Sequence, residues 1–291
     1  MTTIGTTYPK VLRVASIRDK NNMAINPEAQ IFRDLERAEG KPEEILTPAE
    51  RYVERVVVKQ MDDLRPRFKD FKYTKQVKEH QEELRHKILE EERISGRSLS
   101  DRSRRGKIAE ALIFNCIEMN NWFGENCATV AASEYDDLCQ GTDVVLEFDR
   151  GDKIVRLAVD VTIKQDPSDK KHEVLEGIEN GELTRLQYFV SELDETQGQV
   201  SRIPKIILQL DVPTIQRLCR LISNHKKAEL ARDQVQYDFL REAQEQLEDQ
   251  IDHAQDYFRE KPYRESNIVI NRIQEALDVI CEIQKNKKEL A

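Results

Sequence analysis

The sequence is poor in the residues that usually advertise a chemistry. Its five cysteines (Cys116, Cys127, Cys139, Cys219 and Cys281) are scattered, odd in number and form no CxxC, which argues against both a disulfide framework and a structural zinc site. The five histidines are equally dispersed, and His80 and His86 stand too far apart for HExxH-type zinc chemistry. Only 10 of the 291 residues are glycine, and none falls in a GxGxxG, GxxxxGK[ST] or GxSxG pattern. Dinucleotide binding, P-loop hydrolysis and a hydrolase nucleophile elbow thereby lose their sequence support. No apolar run approaches the roughly 18 residues of a membrane helix. Thr2 to Thr7 are small and polar rather than a secretory leader, so a cytoplasmic protein without a membrane partner is expected.

Charge, in contrast, is abundant. Lys plus Arg number 46 and Asp plus Glu 55, a net of −9, which is slight for a chain of this length and does not prevent a compact fold. Apolar residues, at 38%, suffice only if the helices are long and each buries a single stripe.

Four regions follow from pattern. Residues 1–27 carry no periodicity and read as an arm; 28–95 read as helical; 96–212 as an α/β core; 213–291 as long helices. Thr47-Pro48-Ala49-Glu50 is a capping-box helix start, with Val53, Val56, Val57 and Met61 on one stripe and Pro66 as its stop. A second helix is expected over about 74–94. In the core, a helix over 107–119 precedes three β-type runs, 127–132, 143–148 and 154–163, the last two joined by the turn Asp149-Arg150-Gly151-Asp152. A polar helix over 171–193 and a fourth strand at 204–210 complete the order. The expected fold class is α/β: a small mixed sheet of about four strands flanked by helices, with long helical N- and C-terminal extensions. Val235, Phe239, Ala243, Leu247, Ile251, Ala254 and Phe258 form one stripe of the C-terminal region, which can pack on a neighbouring helix, on the core or in a homodimer.

Alternation along the hairpin brings candidate chemistry into view. Val155, Leu157, Val159, Val161 and Ile163 make one face of the second strand apolar, while Asp160 and Lys164 lie on the other. In the first strand Asp143 and Glu147 share the polar face. Asp143 and Asp160 can therefore converge, with Lys164 nearby and Glu110 supplied by the preceding helix. Oxygen ligands of this kind suit Mg²⁺ or Mn²⁺, which activates water and stabilises charge on a phosphodiester. A lysine beside it can orient that water. Spacing alone also fits a solvated strand face with no such role.

The order of elements, with Glu110 in the first helix and Gly141-Thr142-Asp143 … Asp160-Val161-Thr162-Ile163-Lys164 on the hairpin, resembles the PD-(D/E)xK nuclease superfamily over about residues 103–212. The resemblance implies a restriction-endonuclease-like core. It also implies metal held by Asp143, Asp160 and the Val161 carbonyl with Glu110 assisting, and hydrolysis of nucleic acid, DNA first among the candidates. Thr142 stands where the motif has proline, and Thr162 where it has lysine. Lys164 is the candidate replacement, but four residues separate it from Asp160 by about 13 Å of strand, against about 7 Å for the motif's two. A catalytically inactive relative, using the fold as a scaffold or partner-binding module through its long helices, is the alternative.

Just ahead of Glu110, the stretch 93–107 carries a local excess of cations, among them Arg97, Arg102, Arg104, Arg105 and Lys107, which fits either phosphate contacts or a flexible basic linker. Gln187 and Tyr188, expected on the helix after the motif, read as structural filling. Trp122 and Phe123 read as core, His172 as surface, and Arg217, Arg220, Lys226 and Lys227 as a diluted basic group.

Overall fold

The structure is a computed structural model, and it describes residues 45–72, 74–95, 104–163, 166–261 and 264–290. The chain divides into two compact units, residues 1–48 and 49–291. Only 45–48 of the first are described, so the arm expected over 1–27 lies outside the described residues, as do Arg97, Arg102 and Lys164.

Chain entry is helical, through α1 (Pro48–Val53), a π-helical turn (Glu54–Val58) and α2 (Lys59–Leu64). The extra residue of the π turn moves the stripe, so that Val53, Val57, Val58 and Met61 are the buried positions. Pro66 sets the end. The helical region is disfavoured for a residue before proline, and Arg65 is extended at φ −60°, ψ 132°. Then come α3 (Thr74–Ser95) and α4 (Arg104–Asn120). The core continues with β1 (Cys127–Ala131), α5 (Glu134–Gln140), β2 (Val144–Asp149), β3 (Ile154–Thr162) and α6 (Ser168–Glu179). It closes with β4 (Thr184–Val190), β5 (Gln197–Ile203) and β6 (Lys205–Gln209).

β1, β2, β3 and β6 form one sheet in that order, antiparallel except for the parallel β3–β6 pair. The mixed four-stranded sheet with flanking helices is thus the expected α/β class. Two elements differ from the sequence expectation. Ser133 caps α5 by accepting the Asp136 N–H, and Gly141 ends it at φ 60°, a helix signalled only by its caps. The helix expected over 171–193 stops at Glu179. Asn180 and Gly181 turn the chain, and the β-type alternation Leu186, Tyr188, Val190 continues as β4, which pairs with β5 in a separate hairpin. Gln187 and Tyr188 therefore lie on a strand.

That hairpin covers the first sheet. Leu186, Phe189 and Ile203 pack on Val130, Val145 and Ala158, which are neighbours in the β1–β2–β3 register. Buried carboxylates hold it in place. Asp136 accepts from the Gln187 N–H (2.7 Å) and the Tyr188 N–H (3.0 Å). Glu147, fully buried, accepts from Arg156 (2.9 Å), the Ser191 hydroxyl and the Glu192 N–H (2.8 Å). Glu147 is thus committed to docking the hairpin.

Beyond the core run α7 (Val212–Ser223), the short α8 (Lys227–Leu230), α9 (Val235–Glu260) and α10 (Ser266–Leu290). The whole stripe from Val235 to Phe258 is buried, where α9 packs on α10 and on β6. Trp122 and Phe123 are core, and the Trp122 Nε1–H donates to the Leu230 carbonyl (2.9 Å). No helix among the described residues is long and apolar enough to cross a membrane.

β6 is an edge strand, and α9 supplies its missing partner. The Gln246 side chain accepts from the Ile207 N–H (2.9 Å) and donates to the Ile207 carbonyl (2.7 Å), while Gln250 donates to the Lys205 carbonyl (2.8 Å). Gln246→Leu should therefore strand two buried backbone groups and cost about 2–4 kcal/mol, read as a lower urea midpoint. An unchanged midpoint would show that the edge is satisfied without Gln246.

Candidate functional site

Four carboxylates meet where the hairpin β2–β3, α4 and α5 come together. Gly141 lets the chain reverse out of α5, and Asp143 follows at the entrance to β2, its N–H bonded to the Val159 carbonyl (3.0 Å). Strand alternation places Asp160 on the same face, and the Asp143 carboxylate accepts from the Val161 N–H (2.6 Å). Glu110 arrives from α4 and Asp137 from α5, and ligand oxygens of Glu110, Asp137 and Asp143 lie within 4.8 Å of one another. Asp143 and Asp160 are 6% and 7% exposed, so water screens this negative charge poorly.

The electrostatics follow from that crowding. Burial, then Glu110, Asp137 and Asp160, push the Asp143 carboxyl well above the usual carboxylate range, and the Val161 N–H offsets this only in part. Burial also raises Asp160, against the pull of Lys170 and Lys205. Three cations compensate. Lys170, near the start of α6, sits 2.6 Å from Asp160 Oδ1. Lys205, at the start of β6, donates to the Gln140 carbonyl (2.6 Å); burial lowers its pKa while Asp160 and Asp143 raise it. Arg65 bridges Glu110 (3.2 Å) and Asp137 (3.0 Å) and donates to the Ala132 carbonyl (3.0 Å). Burial works against its charge, but Asp137, Glu110, Asp143 and Asp62 outweigh this and raise its pKa.

The cluster sits at the meeting of two clefts. One, about 840 Å³, runs past Arg67, Phe68, Lys69 and Lys107, with Asp62 and Glu134 also on its wall. The other, about 1240 Å³, runs past Lys87, Arg185, Lys205 and Arg272, with Glu173 and Glu182. Glu110, Asp137 and Lys170 line both.

The donors fit a hard divalent ion in kind, being carboxylate oxygens with the Val161 backbone alongside. For Glu110, Asp137 and Asp143 the size fits too. Octahedral Mg²⁺ at about 2.1 Å per bond sets ligand oxygens at most about 4.2 Å apart, so oxygens lying within 4.8 Å of one another need at most a small side-chain adjustment.

Of the residues expected from sequence, Glu110, Asp143, Asp160 and Val161 are brought together, and Thr162 is buried beside them on β3. Two residues of the basic tract are placed otherwise. Arg104 pairs with Glu54 through two 2.6 Å bonds and Arg105 with the buried Glu50 (2.7 Å), so both fasten α4 to the N-terminal helices. Lys107 alone of the described tract residues is exposed at the cleft. His172 is a surface residue beside Glu176, Arg217 is engaged by Asp233, and Lys226 pairs with Glu229. Sequence reasoning missed Arg65, Asp137, Lys170 and Lys205. Only Asp137 had a local signal, the Ser133–Asp136 cap that starts its helix; the others arrive through tertiary packing.

Asp143→Asn removes one buried charge and keeps an oxygen to accept from Val161. In EDTA its Tm should match or exceed that of the wild type, by about 2–4 °C for each kcal/mol of repulsion relieved. A clearly lower Tm would mean that the Asp143 charge is net favourable beside Arg65, Lys170 and Lys205.

No protein-family model, curated protein or solved structure matches this chain.

Proposed function

We propose that this chain is a divalent-metal-dependent phosphodiesterase of the PD-(D/E)xK type, acting on nucleic acid, with DNA as the expected substrate. The observation that carries the proposal is the convergence of Glu110, Asp137, Asp143 and Asp160 at the junction of two clefts, with Lys170 in contact with Asp160. Carboxylates crowded at a cleft, with the pKa values of Asp143 and Asp160 raised, favour a functional site over a purely structural ion-pair network.

Asp143, Asp160 and Glu110, with Asp137 and the Val161 carbonyl, would hold Mg²⁺ or Mn²⁺. When bound, such an ion would supply a water of lowered pKa and would neutralise charge on the phosphoryl oxygens. The chain's own groups do the rest. Lys170, in contact with Asp160, offers an ammonium to the site where Thr162 offers none, and its N–H groups can orient the attacking water or balance charge building on the phosphate. Exposed Lys107, Arg67 and Lys69 on one arm, and Lys87 and Arg185 on the other, offer phosphate contacts to a strand lying across the acids. Two open arms suit a polymer better than a mononucleotide.

One observation favours a second reading. Arg65 and Lys170 already engage three of the four acids, as they would in an inactive relative that keeps the fold for partner binding.

Cleavage of labelled single- and double-stranded DNA and RNA, with Mg²⁺, Mn²⁺ or EDTA, separates the two. The wild type should cut in metal and not in EDTA. Asp160→Asn should abolish cleavage and weaken metal binding. Lys170→Ala should lower turnover by about 10²- to 10⁴-fold while calorimetry shows metal binding retained. Thr162→Lys, which restores the motif spacing, should preserve or raise activity. A wild type that binds no divalent ion and cuts none of these substrates leaves only the inactive reading.

A further inference from the structure

Arg65 stands out within the cluster because its position is built from several directions at once. Pro66 holds its backbone extended, α2 ends just before it, and its side chain is only 13% exposed. The guanidinium spans Glu110 on α4 and Asp137 on α5, residues 45 and 72 positions along the chain, and anchors to the Ala132 carbonyl after β1. Glu110 and Asp137 are two of the three residues whose oxygens could share one ion with Asp143. A planar fork of fixed positive charge therefore already holds Glu110 Oε2 and Asp137 Oδ2, on the same two carboxylates that a shared ion would use.

We propose that Arg65 is the site's resident counter-cation, which a divalent ion must displace from Glu110 and Asp137 in order to bind. The inference rests on the metal site proposed above and concerns how that site is filled. Without a cation, the buried carboxylates would repel and the junction of α4, α5 and β2 would open; Arg65 keeps it closed. With a divalent ion present, two like charges would contend for the same oxygens at contact distance, and the weaker holder gives way. Space for that movement exists, because Arg65 lines the 840 Å³ cleft alongside Lys107. Affinity for the ion is thereby held down, and loading becomes a conformational step.

The test is Mn²⁺ titration of the full chain by calorimetry, in the wild type, Arg65→Gln and Arg65→Lys, with melting curves in EDTA and in Mn²⁺. Arg65→Gln should bind Mn²⁺ about tenfold more tightly or better, and melt lower in EDTA but regain stability in Mn²⁺. Arg65→Lys keeps the charge without the fork and should fall between, which preserves the test if the glutamine variant does not fold. A crystal structure of the wild type with Mn²⁺ should show the guanidinium withdrawn from Glu110 and Asp137. Equal or weaker Mn²⁺ affinity in both variants, or an ion bound with Arg65 still bridging, overturns the inference and leaves the nuclease proposal standing. If Arg65→Gln binds Mn²⁺ and the wild type does not, the inference holds and the nuclease proposal for the native chain fails. If no form binds Mn²⁺, both fall.

Discussion

Repulsion among four carboxylates that the fold forces together is the constraint on which much of this structure turns. Each compensating cation comes from a different part of the chain: Arg65 from the end of α2, Lys170 from α6 and Lys205 from β6. Neutralising the cluster is therefore the same act as assembling the N-terminal helices, the first sheet and the crossover. A group of like charges would ordinarily be removed from a core of this kind, because apolar replacement is often neutral or stabilising. Here it is present, with the pKa values of Asp143 and Asp160 driven upward, and the metal-site proposal rests on that departure.

The two neighbouring acids of α5 show how tightly that site is joined to the rest. Asp136 points into the fold and grips the backbone of β4 at Gln187 and Tyr188, while Asp137 points to the cluster and meets Arg65. Consecutive residues on a helix lie about 100° apart, so one short helix serves both duties. Glu147 repeats the device at the far end of β4, through Ser191 and Glu192. The small second sheet is held less by its length than by these two buried carboxylates.

What could be read from the sequence was whatever had a period. The alternation of β2 and β3 gave the hairpin, its turn and the convergence of Asp143 with Asp160. The four-residue spacing from Val235 to Phe258 gave α9, and every residue of that stripe is buried. What could not be read was set by punctuation or by tertiary contact. β4 was hidden because Asn180-Gly181 was passed over in favour of a long polar helix. The partners of Arg104 and Arg105 were hidden for a related reason: they answer Glu54 and Glu50, some 50 residues earlier, and nothing local announces such partners. Arg65, Lys170 and Lys205 were out of reach on the same grounds.

The pairing of Gln246 with the open edge of β6 carries a consequence for how the chain is made. Ile207 and Gln246 are 39 residues apart, so at about 5–20 residues per second the ribosome leaves β6 without its cap for roughly 2–8 s. Through that interval a strand edge with buried-type residues such as Ile206, Ile207 and Leu208 is available to any other nascent chain. The vulnerable moment of this protein thus falls between the synthesis of β6 and that of α9, and the long α9 ends it.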